Sequence, residues 1–83
     1  MELRFTKHQV ARGTRADAET FDKFLLIKRP SELRLTYQIR LLTYRAIEER
    51  KKLVIEIRKD CKIHSRLDEF AKLHPKVVRI VRT

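Results

Sequence analysis

Leu33-Arg34-Leu35-Thr36-Tyr37-Gln38-Ile39-Arg40-Leu41 is the stretch on which the fold turns. Its apolar residues Leu33, Leu35, Tyr37, Ile39 and Leu41 fall on every second position, the period of a half-buried strand. Wound as a helix, the region makes two opposite apolar stripes. Leu33, Tyr37, Leu41 and Tyr44 lie on one side, and Leu35, Ile39, Leu42 and Ala46 on the other. Such a helix has to be covered twice, by a sheet and by a partner. Pro30-Ser31-Glu32 is a reasonable helix start, and Ala46 to Lys52 is rich in helix formers. A strand would need a tight turn after it, yet no Gly, Asn or Asp stands near residues 46–52. Helix is therefore preferred over strand for residues 31–52.

The flanking segments read more simply. On the C-terminal side, Leu53-Val54-Ile55-Glu56-Ile57 opens a β-branched apolar run expected to form a strand over 53–59. Val77-Val78-Arg79-Ile80-Val81 predicts a second strand over 77–82. Between them Leu67, Phe70, Ala71 and Leu73 recur at helical spacing, with Ser65 as the expected cap and Pro75 just beyond the end. Asp68 and Glu69 stand where the helix dipole favours acids. Strand, helix over 65–74, strand is a βαβ unit, so the two strands are parallel if they are neighbours. Near-continuous apolar runs are the pattern of strands covered on both faces. On the N-terminal side Phe24-Leu25-Leu26-Ile27 reads as another strand, Glu2 to Thr6 as an edge strand, and Gly13 as a turn in a basic loop. The expected fold is α/β, with mixed α+β the alternative: a sheet of three or four strands with two helices. All 83 residues are read as a single domain, opened by a basic segment over 1–15.

At an offset of thirty residues, Glu2-Leu3-Arg4-Phe5-Thr6 resembles Glu32-Leu33-Arg34-Leu35-Thr36, and Arg15-Ala16, Glu19 and Ile27 match Arg45-Ala46, Glu49 and Ile57. A duplication would explain this, but a chain rich in Leu, Arg and Glu also produces such matches by chance.

Charge points to the partner. Lys and Arg number 21 against 11 Asp and Glu, a net charge of +10. A surface built only for solubility or heat carries charges of both signs. A surplus of this size on one short chain is self-repulsive and is relieved by an anionic partner. Nucleic acid offers the densest one, about one charge per 1.7 Å of duplex axis. Candidate phosphate contacts are Arg12, Arg15, Arg34, Arg40, Arg45, Arg50, Lys51, Lys52, Arg58, Lys59, Lys62, Arg79 and Arg82. Arg58, Lys59 and Lys62 are expected at the carboxyl end of a strand, where open α/β sheets usually bind ligands. Arg34 and Arg40 share a face only if residues 33–41 are extended. Tyr37 and Tyr44 can stack on bases, but their apolar stripe makes core packing the stronger expectation.

Other chemistries find little support. Cys61 and His64 have the spacing of half a zinc site, but a second pair is missing. A lone Cys in a small domain is usually packing. Val54 to Lys59 resembles in outline the acidic strand of restriction-endonuclease-like folds. Arg58 stands at the lysine position, however, and the convergent carboxylates of two-metal chemistry are lacking. One glycine excludes a glycine-rich phosphate loop. No stretch approaches the ~20 apolar residues of a membrane span, and residues 1–15 lack the apolar segment of a secretory signal. The sequence therefore leads us to expect a cytoplasmic nucleic-acid-binding protein, an accessory part of a nucleoprotein particle. No enzymatic activity, cofactor, metal, membrane or small-molecule substrate is expected. The alternative is a protein-interaction module, as a homo-oligomer or a small subunit of a complex.

Overall fold

The computed structural model describes residues 15–83. The expected edge strand Glu2–Thr6, the Gly13 loop, Arg12 and the rest of 1–14 lie outside the described residues. In chain order the elements are β1 (Ala18–Glu19), β2 (Lys23–Ile27), β3 (Glu32–Leu33), α1 (Tyr37–Glu49), β4 (Lys52–Ile57), β5 (Lys62–Ile63), α2 (Ser65–Leu73) and β6 (Val78–Arg82). The fold is α/β. A four-stranded sheet has the order β1-β2-β4-β6, and β3 and β5 form a second, two-stranded sheet. Strands β2, β4 and β6 are parallel, and β1 runs antiparallel on the β2 edge. The expected C-terminal βαβ unit is present, with β4 and β6 as parallel neighbours.

The ambiguous stretch is resolved by division. Residues 31–36 are not helical: Glu32 and Leu33 pair with Lys62 and Ile63. The helix starts only at Tyr37, where Thr36 in extended geometry accepts the Ile39 N–H at 3.2 Å. The Pro30-Ser31-Glu32 start was therefore misplaced, because a hydroxyl six residues after Pro30 supplies the cap. Alternation over 33–36 belongs to extended chain, and the later apolar positions belong to α1. The inner stripe of α1 is Ile39, Leu42, Thr43 and Ala46, all fully buried. Thr43 can enter the core because its Oγ1 donates to the Ile39 carbonyl at 2.7 Å.

Two smaller expectations are corrected. The N-cap of α2 is His64 rather than Ser65. Its Nδ1 accepts the Arg66 N–H at 3.1 Å, so the imidazole does the work expected of the hydroxyl. Strand β4 ends at Ile57, which leaves Arg58 and Lys59 in the turn that follows.

Register decides what each face of the sheet carries. Phe24 and Leu26 of β2, Leu53, Ile55 and Ile57 of β4, and Val78 of β6 are buried on one face. They join Ile39, Leu42, Ala46, Leu67 and Phe70 in one apolar cluster, so both helices serve that face. Two right-handed crossovers stepping the same way across a sheet give this arrangement. The alternate residues are Lys23, Leu25 and Ile27, then Lys52, Val54 and Glu56, then Arg79 and Val81. None of them is buried. Cover on both faces was expected; among the described residues nothing buries the second face.

Of the thirty-residue sequence match, Glu2–Thr6 lies outside the described residues, while Ile27 and Ile57 each close a strand. Ala16 precedes β1, whereas Ala46 is inside α1. The fold nonetheless repeats at almost that spacing. Strand β2, short strand β3 and α1 are followed by strand β4, short strand β5 and α2. Paired residues in the two ladders, such as Lys23 with Lys52 and Glu32 with Lys62, stand twenty-nine and thirty residues apart.

Candidate functional site

Each of the two units ends in a helix C-terminus followed by the next strand, and both endings lie at the amino-terminal edge of the parallel strands. At the first, Arg50 adopts left-handed geometry, φ 58° and ψ 43°. Its N–H and that of Lys51 turn back to carbonyls of the last helical turn, Ile47 at 3.3 Å and Ala46 at 2.7 Å. Glycine suits this position best, and a residue with a Cβ there costs about 1–2 kcal/mol. At the second, the His74 N–H closes on Ala71 and Pro75 stops the helix, which brings Lys76 and Val77 to the start of β6. Backbone bonds align the two endings: Lys52 N–H to the Asp22 carbonyl at 3.0 Å, and Leu53 N–H to the Val77 carbonyl at 2.8 Å.

Between these endings lies a groove of about 530 Å³. Six cations line it: Lys23, Arg50, Lys51, Lys52, Lys76 and Arg79. Asp22 is its one carboxylate. Ala46, Ile47, Val54 and Val77 form the apolar part of the wall. Register explains the gathering. Lys23 stands beside Lys52, and Arg79 beside Val54, across adjacent strands on the uncovered face.

Lys51 differs from the other five. Its ammonium meets Glu19 at 2.5 Å and Glu49 at 3.4 Å, and its side chain is only 10% exposed. It also lies 4.7 Å from the centre of the Phe24 ring, which Arg45 approaches to 4.9 Å. The hydrogen bond to Glu19 leads the causes that hold its pKa above the ordinary value of 10.5, while burial opposes the shift. Lys51 is thus structural, tying β1 and α1 to the core. Lys23, Arg50, Lys52, Lys76 and Arg79 make no ion pair among the described residues. The end of α1 contributes roughly half a negative charge, far less than five cations.

The remaining predicted residues are dispersed or engaged. Arg58, Lys59, Lys62 and Arg82 lie toward the opposite, carboxyl end of the strands. There Arg58 pairs with Asp60 at 3.5 Å, and Arg82 donates to the carbonyls of Lys59 and Cys61 at 3.0 and 2.7 Å. Arg82 therefore fastens the β4–β5 connection. Arg34 pairs with Glu32 at 3.4 Å, and Arg45 with Glu49 at 3.3 Å. Arg34 is in a loop and Arg40 on α1, so they share no strand face. Arg15 is exposed, with its carbonyl accepting from Gln38 at 2.7 Å. The groove thus collects Arg50, Lys51, Lys52 and Arg79 from the predicted set. It adds Lys23 and Lys76, which were missed. Lys76 carried a weak signal, since no acid follows it; Lys23 carried none.

Tyr37 and Tyr44, expected in the core, are 61% and 53% exposed. Tyr44 meets Phe70 and His74 edge-on, with ring centres 6.4 Å apart in both cases. Cys61 is buried, with its thiol 3.4 Å from the Lys62 carbonyl. Among the described residues no three His, Cys, Asp or Glu side chains are grouped as metal ligands. No described helix is long and apolar enough to cross a membrane. No protein-family model, curated protein or solved structure matches this chain.

Proposed function

We propose that this chain binds nucleic acid through the phosphate backbone, as a structural or accessory component of a nucleoprotein particle in the cytoplasm. One observation carries the reading. Lys23, Arg50, Lys52, Lys76 and Arg79 surround a groove that holds a single carboxylate, and none of the five is committed to an ion pair among the described residues. Cations held close together without partners repel one another, and phosphates relieve that cost as they release condensed counterions. Contacts of this kind position a protein on its partner without reading sequence. The groove needs no cofactor and assigns no catalytic step.

Five neutralised phosphates give a slope of log K against log salt of roughly −4.5 on duplex and roughly −3.5 on a single strand. A gel-shift series from 50 to 400 mM salt, with single- and double-stranded RNA and DNA, measures it. Lys52→Gln together with Arg79→Gln should flatten the slope by about 1.4–1.8. A slope near zero for the wild type overturns the proposal.

A second reading, a protein-interaction module, draws on the uncovered sheet face, where Leu25, Val54 and Val81 are half-buried and Ile27 is exposed. Self-association there has to bury Lys23, Lys52 and Arg79 at least in part, and taking unpaired cations out of water is costly. The nucleic-acid reading is preferred for that reason. Size-exclusion chromatography at low and high salt separates the two, since a salt-insensitive dimer without affinity for RNA or DNA supports the second.

A further inference from the structure

We infer that the groove takes a single strand, and that Phe21 is the platform on which one of its bases stacks; this rests on the nucleic-acid reading above. Strands β1 and β2 are joined by residues 20–22, and hydrogen bonds hold this turn closed. Thr20 N–H donates to the Lys23 carbonyl at 2.9 Å, Lys23 N–H to Thr20 Oγ1 at 3.2 Å, and Thr20 Oγ1 to Asp22 Oδ1 at 2.7 Å. Thr20 and Asp22 are the small polar residues that turn chemistry favours. Phe21, between them, is 91% exposed, more than any other large apolar side chain described as exposed. Neither the turn nor the core calls for a phenyl ring there, and leaving it in water forfeits the stabilisation of burial.

Its position gives it a use. Phe21 directly precedes Asp22 and Lys23, which both line the groove. The bond from Lys52 N–H to the Asp22 carbonyl fixes the turn to the start of β4, so the backbone that carries Phe21 is anchored at the rim of the groove. Aromatic rings beside a cationic groove are how proteins hold unpaired strands, because every base offers a face for stacking. Duplex bases already use both faces on one another, so an outlying ring gains nothing from them. The other exposed aromatics fit less well. Tyr44 is engaged with Phe70 and His74, and Tyr37 opens α1 about 15 Å from the groove at its far end.

The chain contains no Trp, so Phe21→Trp introduces one fluorophore at the site. Binding is measured with twelve-residue oligo(dT) and oligo(rU), which separate DNA from RNA, and with a duplex of equal length. The wild type should prefer the single strands. Phe21→Ala should weaken them about 5- to 150-fold with an unchanged salt slope and should leave duplex affinity alone. The Trp variant should keep wild-type affinity, and its emission should be quenched on binding. If Phe21→Ala binds the oligomers as the wild type does while Lys52→Gln weakens them, the stacking inference falls and the phosphate reading stands. If the wild type binds no polynucleotide at any salt, both fall.

Discussion

Strand β2, β3 and α1 on one side, and β4, β5 and α2 on the other, are two versions of one arrangement, but they are finished differently. The first helix has thirteen residues and buries four side chains; the second has nine and buries two. The first lies against both β2 and β4. The second is capped by an imidazole rather than a hydroxyl and ends at a proline instead of a left-handed turn. What they share is the cationic character of their endings, Arg50-Lys51-Lys52 and His74-Pro75-Lys76. The comparison teaches that the parallel repeat shares the core between its units, while the longer helix of the first buries more side chains than the second.

The sharpest way to break this comparison is to remove one buried leucine from each helix. Leu42 and Leu67 are both fully buried. Leu42→Ala should cost about 3–5 kcal/mol and Leu67→Ala about 2–3 kcal/mol, because less of the core surrounds the shorter helix. Urea unfolding of the two variants measures the order, and a larger loss for Leu67→Ala would reverse the ranking of the units.

A smaller effect of opposite sign is expected at Arg50. Arg50→Gly relieves left-handed geometry and should stabilise the fold by about 1 kcal/mol. The same change removes a groove cation and should flatten the salt slope by about 0.7–0.9. Stability gained with affinity lost would show that the strain is retained for the partner. Affinity unchanged would place Arg50 outside the interface.

The smallest effect concerns Lys51. Its pKa is raised in the fold, so its contribution is complete below the unfolded-chain value near 10.5 and is lost as pH rises through the higher folded value. Glu19→Gln removes the leading cause of the shift. The stability difference between wild type and this variant, followed by urea midpoints from pH 9 to 11.5, should shrink as pH rises. A difference that grows with pH contradicts the assignment.

Much of the fold was legible locally. The apolar runs of β2, β4 and β6 and the spacing of Leu67, Phe70 and Ala71 each name their element, because strand and helix periods differ. The stretch from Leu33 to Leu41 was not legible as one element because it is two. The change falls at Thr36, and a period read across a cap averages extended chain with helix. The candidate site was less legible. Arg50 and Lys52 stand together in sequence, but Lys23, Lys76 and Arg79 join them only through parallel register. Ion pairs hid the rest: Arg34, Arg45, Lys51 and Arg58 look alike in sequence to cations that remain unpaired.

Residue order alone settled which segments are apolar, where the helices can run, and that positive charge exceeds negative by ten. Those are properties of single segments and of composition. Which sheet face the two helices cover, and at which end of the strands the cations meet, belong to the folded chain. They depend on the direction of two crossovers and on how strands distant in sequence align, and neither quantity exists before the segments pack.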